Sequence, residues 1–589
     1  MNIDLRANPF FLTEEDCDWV HETIAAMNDE EKVGQLFFQL TSSQKEEDLI
    51  ELIQTYHLGG CRYNPAPARE VWKQNRILQE NSKIPLFIAC NTESGGDGAC
   101  TDGTYIGNGM KIGATGNHDY AEDMGRMGNA EAAAIGCNMA FAPVCDIYYN
   151  PMNTEISTRA FSNDPEMVKK CSVEYVRGAH QNTDFACVAK HFPGNGVDYR
   201  DAHLSNHVND FSPKHWDETY GMVYKELIEN GVEGIMGGHI MLPEYVRELA
   251  PELPEEEVWM PATLNKTLMT TLLRDKLGFQ GVVVTDASHM VAMTNQMTRK
   301  EMLPRAINAG CDMFLFFNDP QEDFQTMLTA YQRGVISEER MTEALTRILG
   351  IKARLQLHKK SAAEMVPEKV TLDRVLGNEE FKKKQSEISE KSLTLVKYKD
   401  KDVLPISPEK YKKVMIVHIK GHETGMVELL KLCGMEGKNP AETVKQKLCE
   451  RGYDAYVYES PLDQMKQKAL KGEKPDLNIY FAGKNAISEF REQADLVITL
   501  CDVMAGRPSF GMSKGGGEIP WYVFEVPVIA VGCGQPTMLS DIPQVRTYIN
   551  IYDAKENTLE KLIEALSSGA DAFVGKDPID SFCGLQDTK

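Results

Sequence analysis

Eight short runs of apolar residues recur between residues 33 and 318, and each is followed by a longer polar or amphipathic stretch. In chain order they are VGQLFFQL, LGGCRYN, IPLFIACN, MAFAPVCDI, DFACVAKHF, VEGIMGGHIM, GVVVTDAS and CDMFLFFN. Near-continuous apolar strands that alternate with helical patterns indicate a parallel sheet covered by helices, because both faces of such strands are buried. Eight is the number of strands that closes a (β/α)8 TIM-like barrel, and we favour this barrel over a doubly wound open sheet.

The rest of the chain predicts a second domain. A stretch that starts at Ser337 has a capping residue, glutamates in its first turn and apolar residues at helical spacing, so it predicts a helix that closes the barrel region. Six further strand-like runs alternate with helical stretches and indicate an α/β layered sandwich: LTLVKY, KKVMIVHI, DAYVYES, DLNIYFAG, ADLVITL and VPVIAVG. We therefore predict a TIM-barrel domain over 1–357, a charged linker around Pro367 over 358–378, and a C-terminal α/β sandwich domain over 379–589.

Composition excludes several classes of partner. The 63 Lys and Arg against 87 Asp and Glu give a net charge of −24, which disfavours nucleic acid and anionic membrane surfaces because both repel a negative protein. The first twenty residues have no basic segment followed by an apolar stretch, so no secretory signal is predicted. The 14 Cys show no CxxC pair and no zinc-ligand spacing, which is typical of reduced thiols. These features predict a cytoplasmic protein without nucleic-acid or membrane partners, and they leave the oligomeric state open.

Polar residues stand where successive barrel strands end. All eight loops that follow the strands open on one face of such a barrel, so these residues are predicted to meet there. They are Asn91, Glu93, Asp146, Lys190, His191, His239, Asp286 and Asn318. Asp146 and Asn318 are equally compatible with caps of the helices that follow them. The others indicate a functional site at the mouth of the barrel.

Two stretches carry the most chemical information. In Val188–His207, a loop rich in Gly and Pro carries Asp201 and His203 two residues apart. In an extended loop the Asp201 carboxylate can contact an imidazole nitrogen of His203, fix its tautomer and make it a general acid or base near neutral pH. The spacing is equally compatible with a loop histidine without chemistry. The Asp286 carboxylate ends a buried strand, where it is placed to attack an anomeric carbon or to stabilise a cation.

Taken together, the motifs resemble glycoside hydrolase family 3, specifically its β-N-acetylglucosaminidase type. The matching segments, in the family's order, are MNDEEKVGQLF, APVCDI, STRAFSNDP, KHFPGNG with RDAH, PATLNKTLMTTLLRDKLGFQGVVVTDAS, AGCDM and SLTLVKYKDKDVLPIS. The resemblance implies a retaining exo-glycosidase that hydrolyses terminal β-linked N-acetylglucosamine from oligosaccharides or cell-wall fragments. It implies a small-molecule carbohydrate substrate and neither a metal nor an organic cofactor.

The resemblance also implies residue roles. Asp286 matches the nucleophile that forms a covalent glycosyl-Asp intermediate, and His203, oriented by Asp201, matches the acid/base of this subgroup. Lys190, His191 and Arg159 match positions that hold sugar hydroxyls or the active-site loop. The strand-end residues Asn91, Glu93 and His239 complete the expected substrate-binding set. In this subgroup the second domain supplies no acid/base.

Two departures from the family pattern leave alternatives open. The family's third-strand motif Asp-x-Glu-Gly-Gly-Arg reads Asn91 at its start and Asp97 at its end, and the second His of KHFPGHG is Asn195. These changes leave the identity of the sugar open, including a β-glucoside. Because a neutral imidazole does not repel an anion as a carboxylate base does, a glycoside phosphorylase is an alternative on the same site. A third alternative is a non-catalytic sugar-binding protein.

Overall fold

The structure is a computed structural model that describes residues 3–41, 45–64, 66–182, 185–420, 438–459, 461–474, 487–503 and 520–584. The chain forms two compact units. The first comprises Met1–Gly109, His118–Asn150 and Arg159–Lys384, and the second comprises Met110–Asn117, Pro151–Thr158 and Gln385–Lys589. Short helices, Ala362–Met365 and Lys369–Val375, occupy part of the expected linker. The domain boundaries drawn from the sequence stay a prediction.

The first unit contains a closed barrel of eight parallel strands, as predicted. The strands are β1 Phe37–Thr41, β2 Gly60–Tyr63, β3 Phe87–Cys90, β4 Met139–Ala140, β5 Ala186–Phe192, β6 Gly234–Gly237, β7 Val282–Ala287 and β8 Met313–Leu315. Each overlaps one of the eight apolar runs, with β1 extending one residue beyond its run, and β8 pairs with β1 to close the sheet. The carboxyl ends of all eight strands therefore lie at one face of the barrel.

Aromatic side chains fill part of the barrel core. The ring of Phe38 stacks on that of Phe87 with centroids 6.2 Å apart, and it meets Phe141 edge-on at 5.5 Å. Gly60 leaves room for this ring, since a Cβ at Gly60 would lie 2.4 Å from the Phe38 ring. A packed core of this kind supports the mouth of the barrel but leaves no channel through it.

Helices follow the strands and bury their apolar faces. The predicted helix after Ser337 runs over Glu338–Arg354, and the Ser337 hydroxyl accepts a hydrogen bond from the Arg340 amide, as expected of a cap. The other helices of the first unit of seven residues or more are Glu14–Ala26, Asp29–Gln35, Glu46–Tyr56, Ala68–Glu80, Asp119–Ala134, Pro165–Ala179, Met222–Glu229, Pro243–Leu249, Thr267–Lys276, Arg299–Ala309, Pro320–Gln332 and Lys369–Val375. Glu379–Lys391 leads into the second unit.

The second unit holds a six-stranded sheet in the order β9-β14-β13-β12-β10-β11, in which only the edge strand β9 is antiparallel to its neighbour. Its strands are β9 Thr394–Tyr398, β10 Lys413–Lys420, β11 Asp454–Val457, β12 Leu496–Asp502, β13 Val528–Gly532 and β14 Thr547–Asn550. Its helices include Pro440–Glu450, Pro461–Leu470, Ile487–Gln493 and Glu556–Ser568. Five of the six predicted runs contain a strand, DLNIYFAG lies outside the described residues, and β14 was not predicted.

The structure also bears on the predictions about the cysteines and about membrane-spanning segments. Among the described residues, every cysteine is a free thiol, and all but Cys449 and Cys583 are buried. No helix in the described part of the chain has both the length and the apolar character needed to cross a membrane.

Candidate active site

The loop after β5 owes its path to two glycines. Gly194 and Gly196 have φ angles of +121° and +109°, which side chains rarely allow. A Cβ at Gly194 would lie 2.2 Å from the Tyr220 ring, and one at Gly196 would lie 1.9 Å from the Ile147 carbonyl oxygen. The Trp216 indole donates a 2.7 Å hydrogen bond to the Pro193 carbonyl and fixes the start of the loop. The KHFPGNG motif therefore encodes a tightly packed turn at the mouth of the barrel.

The structure brings Asp201 and His203 into contact. Oδ1 of Asp201 lies 2.8 Å from Nδ1 of the His203 ring and accepts the backbone N–H of His203, also at 2.8 Å. Burial alone would raise the pKa of Asp201, but the hydrogen bonds from His203 lower it below its usual range. The His203 side chain is 50% exposed, so a substrate can reach its ring. An ionised carboxylate on Nδ1 leaves Nε2 as the nitrogen that exchanges protons.

Asp201 and His203 are tied to the segment that follows Asp286. The amides of Val291 and Ala292 donate to the carbonyls of His203 and Ala202 at 3.3 and 3.0 Å. Ala202 is buried in a small apolar cluster with Met290 and Ala292. The loop after β5 and the loop after β7 are thus joined by backbone hydrogen bonds at the mouth of the barrel.

His289 adds an electrostatic link between the two loops. Burial lowers the pKa of His289, the neighbouring His203 lowers it further, and the Asp286 carboxylate opposes the shift. His203, in the loop after β5, and Asp286, near the end of β7, therefore both act on the charge of one imidazole.

Asp286 is held as an anion. Its side chain is 18% exposed at the end of β7. Burial raises the pKa of Asp286, but the nearby rings of His191 and His239 and the hydrogen bond from the Ala287 amide bring it below the usual value. An ionised carboxylate at the open end of a barrel strand is the state that a nucleophile requires.

The Glu93 carboxylate pairs with two cations, Arg159 and Lys190, which the sequence predicted as separate binding residues. Its carboxylate accepts hydrogen bonds from Arg159 at 2.8 and 3.0 Å and lies 2.5 Å from Lys190 Nζ. Burial would raise the pKa of Glu93, but these two cations hold it far below its usual range. Burial in turn lowers the pKa of Lys190, and Glu93 opposes that shift. The side chains of Glu93, Arg159 and Lys190 form one ion-pair cluster at the mouth of the barrel, which we call the Glu93 cluster.

We expect Glu93→Gln to lower the free energy of unfolding by about 3 kcal/mol at pH 7, because it removes the carboxylate that pairs with the buried Lys190 and the partly exposed Arg159. The folded-state pKa of Glu93 is depressed, so its contribution is complete above the unfolded-state value of about 4.3 and is lost as pH falls below it. Urea unfolding at several pH values checks this. The exposed Glu166→Gln, which breaks a surface pair with Lys169, is the matched control and should cost less than about 1 kcal/mol. Equal effects of the two changes would contradict the expectation.

The remaining predicted substrate-binding residues lie in different environments. Asn91 follows β3, and its buried side-chain oxygen has no hydrogen-bond partner among the described residues. The His239 ring is buried, with Nδ1 2.8 Å from the Thr263 hydroxyl and Nε2 3.1 Å from the Ala287 carbonyl oxygen. Its contacts thus support the residue after Asp286. Direct binding of substrate by Asn91 and His239 stays a prediction.

The two departures from the family pattern have structural roles. Asn195 is buried, and its side-chain oxygen accepts the Gly196 amide at 2.6 Å. Asp97 accepts a hydrogen bond from the Ser94 hydroxyl at 2.9 Å. Both contacts stabilise the turns that carry the site residues.

Neither Asp146 nor Asn318 caps a helix. Asp146 is fully buried and accepts hydrogen bonds from the ring and the amide of His191 and from the amide of Asn195. The helix after β8 is capped by Asp319, whose carboxylate accepts the Glu322 amide at 2.8 Å. Asp146 therefore belongs with the site, whereas the backbone amide of Asn318 donates a hydrogen bond to the Asp323 carboxylate.

One further residue of the mouth, Arg62, was missed because it stands inside β2 instead of after it. Burial lowers its pKa, and the carboxylates of Glu93 and Asp286 are among the groups that oppose this shift, which places the guanidinium in their field. Strand alternation puts Arg62 on the same side of β2 as Gly60, which faces the Phe38 ring. That alternation was the signal that could have found it.

Known proteins are similar to the chain in sequence and in fold. Residues 29–351 match a family model described as Glycosyl hydrolase family 3 N terminal domain. The chain is 36% identical over 591 residues to a Cellulomonas fimi protein named Beta-N-acetylglucosaminidase/beta-glucosidase, with 100% of both chains covered. The solved structure of Beta-glucoside phosphorylase BglX is 33% identical, with a TM-score of 0.88 and 99% of each chain covered. A glycoside hydrolase family 3 beta-N-acetylglucosaminidase from Paenibacillus sp. str. FPU-7 is 24% identical, with a TM-score of 0.76 over 94% of this chain and 99% of that one, and it supports the fold.

Proposed function

The chain belongs to glycoside hydrolase family 3, and from this premise we propose that it is a retaining exo-glycosidase that hydrolyses terminal β-linked N-acetylglucosamine from oligosaccharides or cell-wall fragments. The observation that carries the proposal is the Asp201–His203 pair, hydrogen-bonded at 2.8 Å on a loop whose backbone bonds to the segment after Asp286. The family and the intact set of Asp286, Asp201 and His203 argue against a non-catalytic sugar-binding protein.

In the first half of the reaction, the Asp286 carboxylate attacks C1 of the sugar, and the bond between C1 and the leaving oxygen breaks. Protonated His203 delivers its proton to that oxygen. In the second half, neutral His203 takes a proton from water as the water attacks C1 and the ester bond to Asp286 breaks. Two inversions at C1 retain the β configuration.

The Glu93 cluster and His191 would hold the sugar at the mouth. Glu93 holds the N–H donors of Arg159 and Lys190 in place through two ion pairs. Charged groups that are already in position can bind sugar hydroxyls without reorganisation. The name of the C. fimi relative, which includes beta-glucosidase, makes a β-glucoside the first competing substrate.

A second candidate function, phosphorolysis, is favoured by a specific observation. The acid/base is an imidazole, and the chain is 33% identical over nearly its full length to a solved beta-glucoside phosphorylase. In the second half-reaction a neutral ring repels phosphate less than a carboxylate base would. Phosphate would then attack C1 in place of water and release a β-configured sugar 1-phosphate.

A paired assay tests both candidates. We expect release of p-nitrophenol from the β-N-acetylglucosaminide to exceed that from the β-glucoside, and we expect free N-acetylglucosamine as the product, both with and without inorganic phosphate. A rate that depends on phosphate, with sugar 1-phosphate as the product, would replace hydrolysis by phosphorolysis. Faster turnover of the β-glucoside would overturn the assigned sugar and leave the mechanism intact.

A further inference from the structure

Asp146 is a buried carboxylate that holds the ring of His191. Its Oδ2 lies 2.7 Å from Nδ1 of His191, and its Oδ1 accepts the amides of His191 and Asn195 at 3.2 and 2.7 Å. The Asp146 side chain has no exposed surface, and that of His191 is 6% exposed. With both oxygens engaged, Asp146 cannot turn away from the ring.

The other nitrogen of the same ring faces the proposed nucleophile. Nε2 of His191 is 3.9 Å from Oδ2 of Asp286, so the ring stands between two carboxylates. A positively charged ring is favoured between two carboxylates, because its Nδ1–H donates to Asp146 and its charge attracts the Asp286 anion 3.9 Å from Nε2. The arrangement favours an imidazolium.

We propose that Asp146 is a positioning residue that holds His191 as an imidazolium, and that this cation stabilises the Asp286 carboxylate as it leaves the sugar. The proposal rests on the proposed function, since it requires a glycosyl ester on Asp286. Lys190 and His239 also lower the pKa of Asp286, but each has a closer partner: Lys190 Nζ lies 2.5 Å from Glu93, and the His239 ring lies against Thr263 and Ala287.

The charge balance assigns the effect to one half of the reaction. Forming the bond between C1 and Asp286 removes the negative charge that the imidazolium faces. In the second half, water bonds to C1, the ester bond breaks, its electron pair returns to Asp286, and the water proton passes to His203, while His191 keeps both of its protons. The imidazolium therefore stabilises the second transition state, in which negative charge returns to Asp286, more than it stabilises the neutral ester. This difference accelerates release of the sugar. In the first half-reaction the imidazolium stabilises the Asp286 carboxylate of the starting state, so it does not accelerate formation of the ester.

Asp146→Asn tests this with a p-nitrophenyl substrate, whose good leaving group makes formation of the ester fast. We expect kcat and KM to fall together by about 10-fold, while kcat/KM stays within about 2-fold of the parent enzyme, because only the second step is slowed. After labelling with a 5-fluoro N-acetylglucosaminyl fluoride, the trapped ester should be released about 10-fold more slowly. A role in folding alone would lower kcat/KM and leave KM unchanged.

Glu131→Gln is the matched control. Glu131 is a fully buried carboxylate that accepts hydrogen bonds from the amides of Thr104 and Gly377 at 2.6 and 2.7 Å, and none of its hydrogen bonds within the described residues involves an imidazole. We expect it to lower the melting temperature without the joint fall in kcat and KM. If Asp146→Asn does not fold, the trapped ester of His191→Gln decides in its place and should be released about 10-fold more slowly than that of the parent enzyme.

The outcomes separate the two proposals. A fall in kcat/KM with unchanged KM, or an unchanged release rate of the trapped ester, in a variant that still labels at Asp286 would overturn the role of Asp146 alone. Absence of any label on Asp286 in the parent enzyme would overturn the proposed function, and this inference with it.

Discussion

Asp286→Asn is expected to lower kcat by at least about 10³-fold, because the amide cannot form the ester through which both half-reactions pass. The fold should survive, since within the described part of the chain the side chain accepts a hydrogen bond from the amide of its neighbour Ala287 alone, and an amide oxygen can accept the same bond. The measurement is turnover of p-nitrophenyl β-N-acetylglucosaminide, with the melting temperature recorded in parallel.

Asp319→Asn is the matched control for this change. Asp319 follows β8, also at the mouth end of the barrel, and its carboxylate caps the helix Pro320–Gln332. Asn caps helices as well as Asp does, so both activity and stability should stay near those of the parent enzyme. Mass spectrometry after reaction with the fluorinated substrate should place the label on Asp286. Turnover at the parent rate in Asp286→Asn would remove this residue from the mechanism.

Local pattern was enough to predict the barrel. Each strand is short and continuously apolar, and closure of a parallel sheet follows from the count of strands. The same reasoning missed β14, Thr547–Asn550, because its two buried end residues are polar and interrupt the apolar signal. It also gave no sign that Met110–Asn117 and Pro151–Thr158 group with the second unit, since such grouping depends on contacts far apart in sequence.

Strand-end reasoning found residues but not their pairings. Glu93, Arg159 and Lys190 come from different loops and strands, so only the closed barrel shows that one carboxylate serves both cations. The role of Asp146 depends on His191, 45 residues further along the chain. By contrast, the contact of Asp201 with His203 spans two residues, and local geometry was enough to predict it.

His203→Ala is expected to affect substrates according to their leaving group. A general acid contributes about 10² to 10⁴-fold when the leaving oxygen needs a proton. We therefore expect kcat/KM for an N-acetylglucosamine disaccharide to fall by about 10³-fold. For a 2,4-dinitrophenyl glycoside, whose leaving group departs as a stable anion, kcat/KM should change by less than about 5-fold. The comparison needs only the two substrates and the two proteins.

The second step should also lose its base in this variant. Release of the sugar from Asp286 to water then slows, so kcat for the dinitrophenyl substrate falls, and azide, which attacks without giving up a proton, should restore it and yield a β-glycosyl azide. Asp201→Asn should show a weaker form of the same pattern, since its amide removes the charge that orients the ring. His215→Ala is the control, because His215 is an exposed ring packed on Tyr149 and Phe211. Equal losses on both substrates in His203→Ala, without azide rescue, would mean that His203 supports the loop and transfers no proton.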